Sequence, residues 1–129
     1  MTPLLASIPL LVLITYLSKV PVAVAMAKLG GYDNHMPRDQ QARLSGWGRR
    51  ALAAHQNSFE IFPIYAACAL VGHLTTATPE RATPLAAVFL VSRVLYVACY
   101  LADWSNLRSF VWFVGLGSAM SIALLSIAV

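Results

Sequence analysis

Four apolar stretches, roughly residues 3–28, 50–74, 82–104 and 109–129, account for most of this 129-residue chain. A helix crosses the hydrocarbon core of a bilayer with about 20 residues, within a range of about 17–25, and each stretch meets that length. Composition agrees: 59% of the residues are hydrophobic and 11% charged, whereas a soluble domain carries about 25% charged residues. Too little polar surface remains to cover a water-exposed globule. The expected fold is an all-α membrane protein, a single domain over residues 1–129 built as a four-transmembrane-helix bundle. Near its end the first stretch contains "AVAMA", which resembles a signal-peptide cleavage site, but no Lys or Arg precedes the apolar run. With the basic n-region missing, it reads as a span.

Charge in the connections predicts orientation. The long first loop, "LGGYDNHMPRDQQARLSGWGRR", holds Arg38, Arg43, Arg49 and Arg50 with Lys28 at its edge, and the third, "ADWSNLR", holds Arg108. The second loop, "LTTATPERAT", has one arginine against one glutamate. Counting Lys and Arg in short loops puts loops one and three in the cytoplasm and both termini on the opposite side. The net charge of +4 is mostly this bias. The basic residues lie in loops rather than along a dedicated stripe, so nucleic acid is not an expected partner. Pro79 and Pro84 mark the second connection, and Pro21 should kink the first helix or free a carbonyl. Gly115, Gly117 and Ala119 offer a small-residue packing face. Cys68 and Cys99 fall near opposite membrane faces, beyond the roughly 7 Å a disulfide spans, and read as packing residues.

The exceptional segment is "RRALAAHQNSFEIFP", residues 49–63, which carries polar side chains deep into an apolar helix. Positions three, four and seven apart share a helix face, so Arg50, Ala53, Asn57, Glu60 and Ile64 form one stripe. Arg93, Tyr96 and Tyr100 form another on the third helix. Glu60 lies eleven residues past Arg49, and Arg93 eleven before Trp104; at about 1.5 Å per residue both are about 16 Å deep. A direct Glu60–Arg93 meeting is therefore expected, with Asn57 level with Tyr96 and Lys19 near the same layer. An ionised side chain at a helix centre costs about 2.5–3.5 kcal/mol. A structural ion pair would account for Glu60 and Arg93 but not for Asn57, the tyrosines or Arg108. An anionic ligand with hydrogen-bonding groups accounts for all of them, Glu60 taking an ammonium, the arginines carboxylates, and the amide and phenols the ligand's amides. His35 and His73 read as boundary residues, and the tryptophans Trp47, Trp104 and Trp112 as belt or core. No set of residues has metal-ligand spacing.

At "AHQNSFEIFP", "RVLYVACYL" and "NLRS" the chain resembles the membrane-associated proteins in eicosanoid and glutathione metabolism, the MAPEG family, and its bacterial branch most of all. The resemblance implies a homotrimer of four-helix subunits that binds glutathione, as co-substrate, between neighbours near the cytoplasmic face, among membrane lipids. Carried over by position, Asn57 and Glu60 match residues that contact glutathione, and Arg93, Tyr96 and Tyr100 match those lining the same site. Arg108 matches the arginine just beyond, which in one member is assigned to activating the thiol, and His55 a histidine present in one branch. The family often has an arginine where Ala53 stands, with Arg50 one turn away on the same stripe, and one member has a tyrosine where Ile61 stands. The implied function is a glutathione S-transferase-like enzyme in which a thiolate attacks a lipophilic small molecule, with peroxidase or isomerase activity open to the same thiolate. The alternatives are a non-catalytic lipid- or glutathione-binding protein of the same fold and, further off, a small multidrug exporter, which needs an acid that the first helix lacks.

Overall fold

The computed structural model of the protein describes residues 1–75 and 79–127. The described residues contain six helices and no strand: α1 Pro3–Leu17, α2 Lys19–Ala27, α3 Pro37–Ala42, α4 Gly46–Leu74, α5 Pro79–Leu101 and α6 Ser105–Leu124. Among the described residues three segments are long and apolar enough to cross a membrane: Pro3–Ala27, Pro79–Leu101 and Ser105–Leu124. The fourth expected span, α4, has 29 residues and ample length, but Arg49, Arg50, His55, Gln56, Asn57 and Glu60 crowd its first half.

The first apolar stretch breaks where its proline dictates. Pro21 offers no N–H to the Leu17 carbonyl and its ring crowds that group. Accordingly α1 ends at Leu17, the Ser18 N–H closes on the Ile14 carbonyl at 3.0 Å, and α2 restarts at Lys19. The Ser18 hydroxyl donates to the Thr15 carbonyl at 2.6 Å and lies 2.8 Å from His55 Nδ1. Beyond α2, Gly31 turns the chain at φ +109°, a left-handed conformation suited to glycine. Gln40, 2% exposed, then staples the long connection: its Nε2 donates to the carbonyls of Met26 (3.2 Å) and Gly31 (2.7 Å), and its Oε1 accepts from the Asp33 N–H (2.9 Å).

The core of the bundle follows helical periodicity. On α4 the buried stripe runs through Ala51, Ala54, Ser58, Ile61, Tyr65, Cys68 and Gly72, steps of three and four residues. Tyr65 stacks on Phe89 of α5 with ring centroids 3.9 Å apart, and its hydroxyl hydrogen-bonds Ser7 of α1, so one side chain joins three helices. Cys68 and Cys99 are both buried and free. Helices α5 and α6 approach closely at Gly115, where a Cβ would sit 2.5 Å from Ser92 Oγ, itself held by donation to the Phe89 carbonyl. Ala119 is buried beside it on α6, whereas Gly117 faces open space and takes no part in this contact. Overpacking costs about 1–3 kcal/mol, so Gly115→Ala should lower the Tm of the detergent-purified protein by several degrees; an unchanged Tm would mean that α6 shifts freely along α5.

Helix ends differ from the sequence expectation in ways that matter. α5 begins three residues early because Pro79 suits the first helical position and ends at Leu101 in a Schellman turn: Trp104 N–H donates to the Cys99 carbonyl (2.9 Å) and Asp103 N–H to that of Tyr100 (3.2 Å), with Asp103 at φ +60°. α6 consequently starts at Ser105, and Arg108 belongs to its first turn rather than to a loop. Pro84 lies within α5 and marks no break. Of the second connection, residues 76–78 lie outside the described residues, as do 128–129 of the fourth stretch.

Candidate functional site

Arg93, Tyr96 and Tyr100, at i, i+3 and i+7, share one face of α5. The two phenol rings meet edge to face at 5.5 Å. The Arg93 guanidinium carbon lies 4.3 Å from the Tyr96 ring centroid, and that of Arg108 lies 4.3 Å from the Tyr100 centroid. Both distances are within the roughly 6 Å at which a cation is attracted to a ring face. The result is a ladder of guanidinium, phenol, phenol and guanidinium along α5, closed at its lower end by the first turn of α6. The short α5–α6 turn is what brings Arg108 back over Tyr100.

Helix α4 supplies the opposite side. Arg93 Nη2 donates to Asn57 Oδ1 at 2.9 Å, and Asn57 Nδ2 donates to Glu60 Oε2 at 3.1 Å. The direct Glu60–Arg93 meeting expected from depth is therefore replaced by a relay through the Asn57 carboxamide. The physical reason is azimuth: Arg93 is 2% exposed, while Glu60 points out of the subunit. Asn57 lies between them and presents an acceptor to the cation and a donor to the carboxylate. Arg93 Nε is buried with no hydrogen-bond partner among the described residues. Lys19, expected near this layer, makes no hydrogen bond or ion pair to Glu60, Asn57 or Arg93 among the described residues; it begins α2.

A cavity of about 310 Å³ opens beside the ladder, lined by Asn57, Tyr96, Tyr100, Arg108, Ser109, Trp112 and Phe113. Its walls combine a cation, an amide, phenols and a hydroxyl with two large aromatic rings, the makings of a ligand site with a polar and an apolar end. A cavity of about 360 Å³ at the other end of the bundle, near Thr2, Leu4, His73 and Thr83, has no such convergence of charge.

The sequence profile of the MAPEG family matches residues 3–128. The chain belongs to the MAPEG family. No curated protein and no solved structure matches it. Membership, with the three apolar segments long enough to span a bilayer, makes this an integral membrane protein whose function is of the general glutathione- and eicosanoid-related kind.

Within this MAPEG chain the structure brings Asn57, Tyr96, Tyr100 and Arg108 to one cavity, with Arg93 and Glu60 joined to it through Asn57. Arg50 reaches the same helix end differently: its Nε donates to the Tyr100 carbonyl at 3.2 Å. His55 stands about 200° around α4 from Asn57 at about 100° per residue, bonded to Ser18 and edge-on to Phe59 at 5.1 Å, and does not line the cavity of its own subunit. Ile61 is 3% exposed and packs into the core. Ser109, Trp112 and Phe113 line the cavity without having been singled out for it. Their signal was present in the spacing: each lies one, four or five residues beyond Arg108 on a helix that starts earlier than its polar residues suggest.

Proposed function

We propose that this MAPEG protein is a membrane-bound glutathione-dependent transferase, and the observation that carries the reading is the cavity that Arg108, stacked on Tyr100, shares with Asn57. Glutathione brings an ammonium, two carboxylates, two amides and a thiol. Glu60 suits the ammonium, Asn57 and the phenols suit the amides, and Arg93, buried behind Asn57, holds that carboxamide in place. Arg108 is then the cation beside the sulfur. A free thiol titrates near pH 8.5 and reacts as the thiolate; each unit by which Arg108 lowers that value corresponds to about 1.4 kcal/mol. The thiolate attacks an electrophilic carbon: a C–S bond forms, the bond to the leaving group or epoxide oxygen breaks with its electron pair, and the thiol proton passes to water. Trp112 and Phe113 suit a lipophilic electrophile arriving from the bilayer.

Glu60 also bears on assembly. An outward carboxylate at mid-span costs about 2.5–3.5 kcal/mol in lipid and is relieved when a second subunit covers it. We read α4 as the fourth span, placed at a contact between copies in a homotrimer, with the basic connections in the cytoplasm. The test is conjugation: detergent-purified protein should transfer glutathione to a lipophilic aryl halide or epoxide, followed as loss of free thiol and gain of thioether. Glutathione binding with no conjugation across a panel of electrophiles would favour a non-catalytic binding protein.

A further inference from the structure

Arg50 shares a helix stripe with Asn57 and Glu60, and on spacing alone it looks like a further ligand for a carboxylate. Its Nε–H is committed elsewhere, to the carbonyl of Tyr100 at 3.2 Å across the α4–α5 contact. The same carbonyl accepts from the Asp103 N–H at 3.2 Å, so both of its lone pairs are used, one within the turn and one from outside it. That turn is strained at Asp103, a non-glycine residue at φ +60°. It leads through Trp104, whose N–H is held by the Cys99 carbonyl at 2.9 Å, to Arg108, whose N–H is held by the Trp104 carbonyl at 2.9 Å. Arg108 therefore reaches the Tyr100 ring through a short hydrogen-bonded path that Arg50 fastens at its start.

We infer that Arg50 is a positioning residue: it clamps the α5–α6 turn through the Tyr100 carbonyl and so holds the Arg108 guanidinium over the Tyr100 ring, rather than binding the ligand's carboxylate. The inference deepens the transferase reading and rests on it for its kinetic consequence. A misplacement of about 1 Å at a catalytic group is enough to cost about 100-fold in rate, which sets the scale of what the clamp protects.

Two substitutions separate the roles. Gln places an N–H donor at the same distance along the side chain as Arg Nε but has no charge, while Met fills the same length with no donor. If Arg50 positions, Arg50→Gln keeps kcat within about threefold of wild type, and Arg50→Met loses about 10- to 100-fold in kcat with little change in the KM for glutathione. The pH–rate profile of Arg50→Met also moves to higher pH, because the thiol loses its cation. If Arg50 binds a carboxylate, both variants raise KM together and leave kcat alone, and the inference is overturned. Hydrogen exchange reads the clamp without turnover: Arg50→Met should speed exchange at the 103–108 amides and Arg50→Gln should not. Equal protection in both variants overturns the clamp even if conjugation is observed. Absent conjugation by the wild type removes the transferase reading and leaves the exchange comparison to decide the clamp alone. Should Arg50→Met fail to purify as a folded protein, Arg50→Gln carries the test, since a charge-dependent role predicts its loss.

Discussion

Arg108→Ala should lower kcat for glutathione conjugation by about 100-fold or more, the scale seen when a preorganised stabilising donor is removed, while leaving the glutathione dissociation constant within about twofold. Arg108 belongs to the first turn of α6, and its guanidinium lies 4.3 Å from the Tyr100 centroid at the cavity wall. A cation there interacts with the thiolate far more than with the neutral thiol. Its loss therefore falls on the reacting form rather than on binding of the whole tripeptide. A second signature follows from the same cause. Without Arg108 the thiol should titrate closer to the usual value of about 8.5, so the variant regains rate as pH rises where the wild type is already level. Equal losses in affinity and turnover, with an unchanged pH profile, would assign Arg108 to ligand binding instead.

Asn57→Leu should be the most destabilising change at the site. Asn57 Oδ1 is the acceptor the structure provides for Arg93 Nη2, and Arg93 Nε already lacks a partner among the described residues. Removing one partner of a buried charge costs about 3–5 kcal/mol. Glu60 loses its donor in the same step. The expected observation is a large fall in Tm in detergent, together with loss of glutathione binding. Adding Arg93→Met to the variant should recover much of the Tm, because the stranded cation is gone, but none of the binding. Full stability of the single variant would mean that Arg93 and Glu60 close on each other directly, and that the amide is not needed between them.

The ladder on α5 was legible because it depends on spacing alone: Arg93, Tyr96 and Tyr100 share a face in any helix. Pro21 was equally legible, since its missing N–H forces the break wherever neighbours stand. Depth counting placed Glu60 level with Arg93 but carries no azimuth, and azimuth decides that Asn57 separates them. Arg108 looked like a loop residue because the turn is closed by Asp103 in a left-handed conformation, where glycine is the usual signal. With the helix start read too late, Ser109, Trp112 and Phe113 had no face to share with it. Arg50 and His55 illustrate the remaining gap. Both lie in the polar segment of α4, yet one bonds a backbone carbonyl and the other a hydroxyl at the α1–α2 break. Such partners become visible only once the helices are packed.

The most direct measurement is calorimetric titration of glutathione into the detergent-purified protein, wild type beside Glu60→Ala. Measurable binding by the wild type, lost or weakened at least about 10-fold (about 1.4 kcal/mol) in the variant, is the predicted result, and it makes the Arg93–Asn57–Glu60 relay part of a ligand site. No heat of binding from the wild type, or the same affinity in both, would contradict the account and leave the relay as a structural link between α4 and α5.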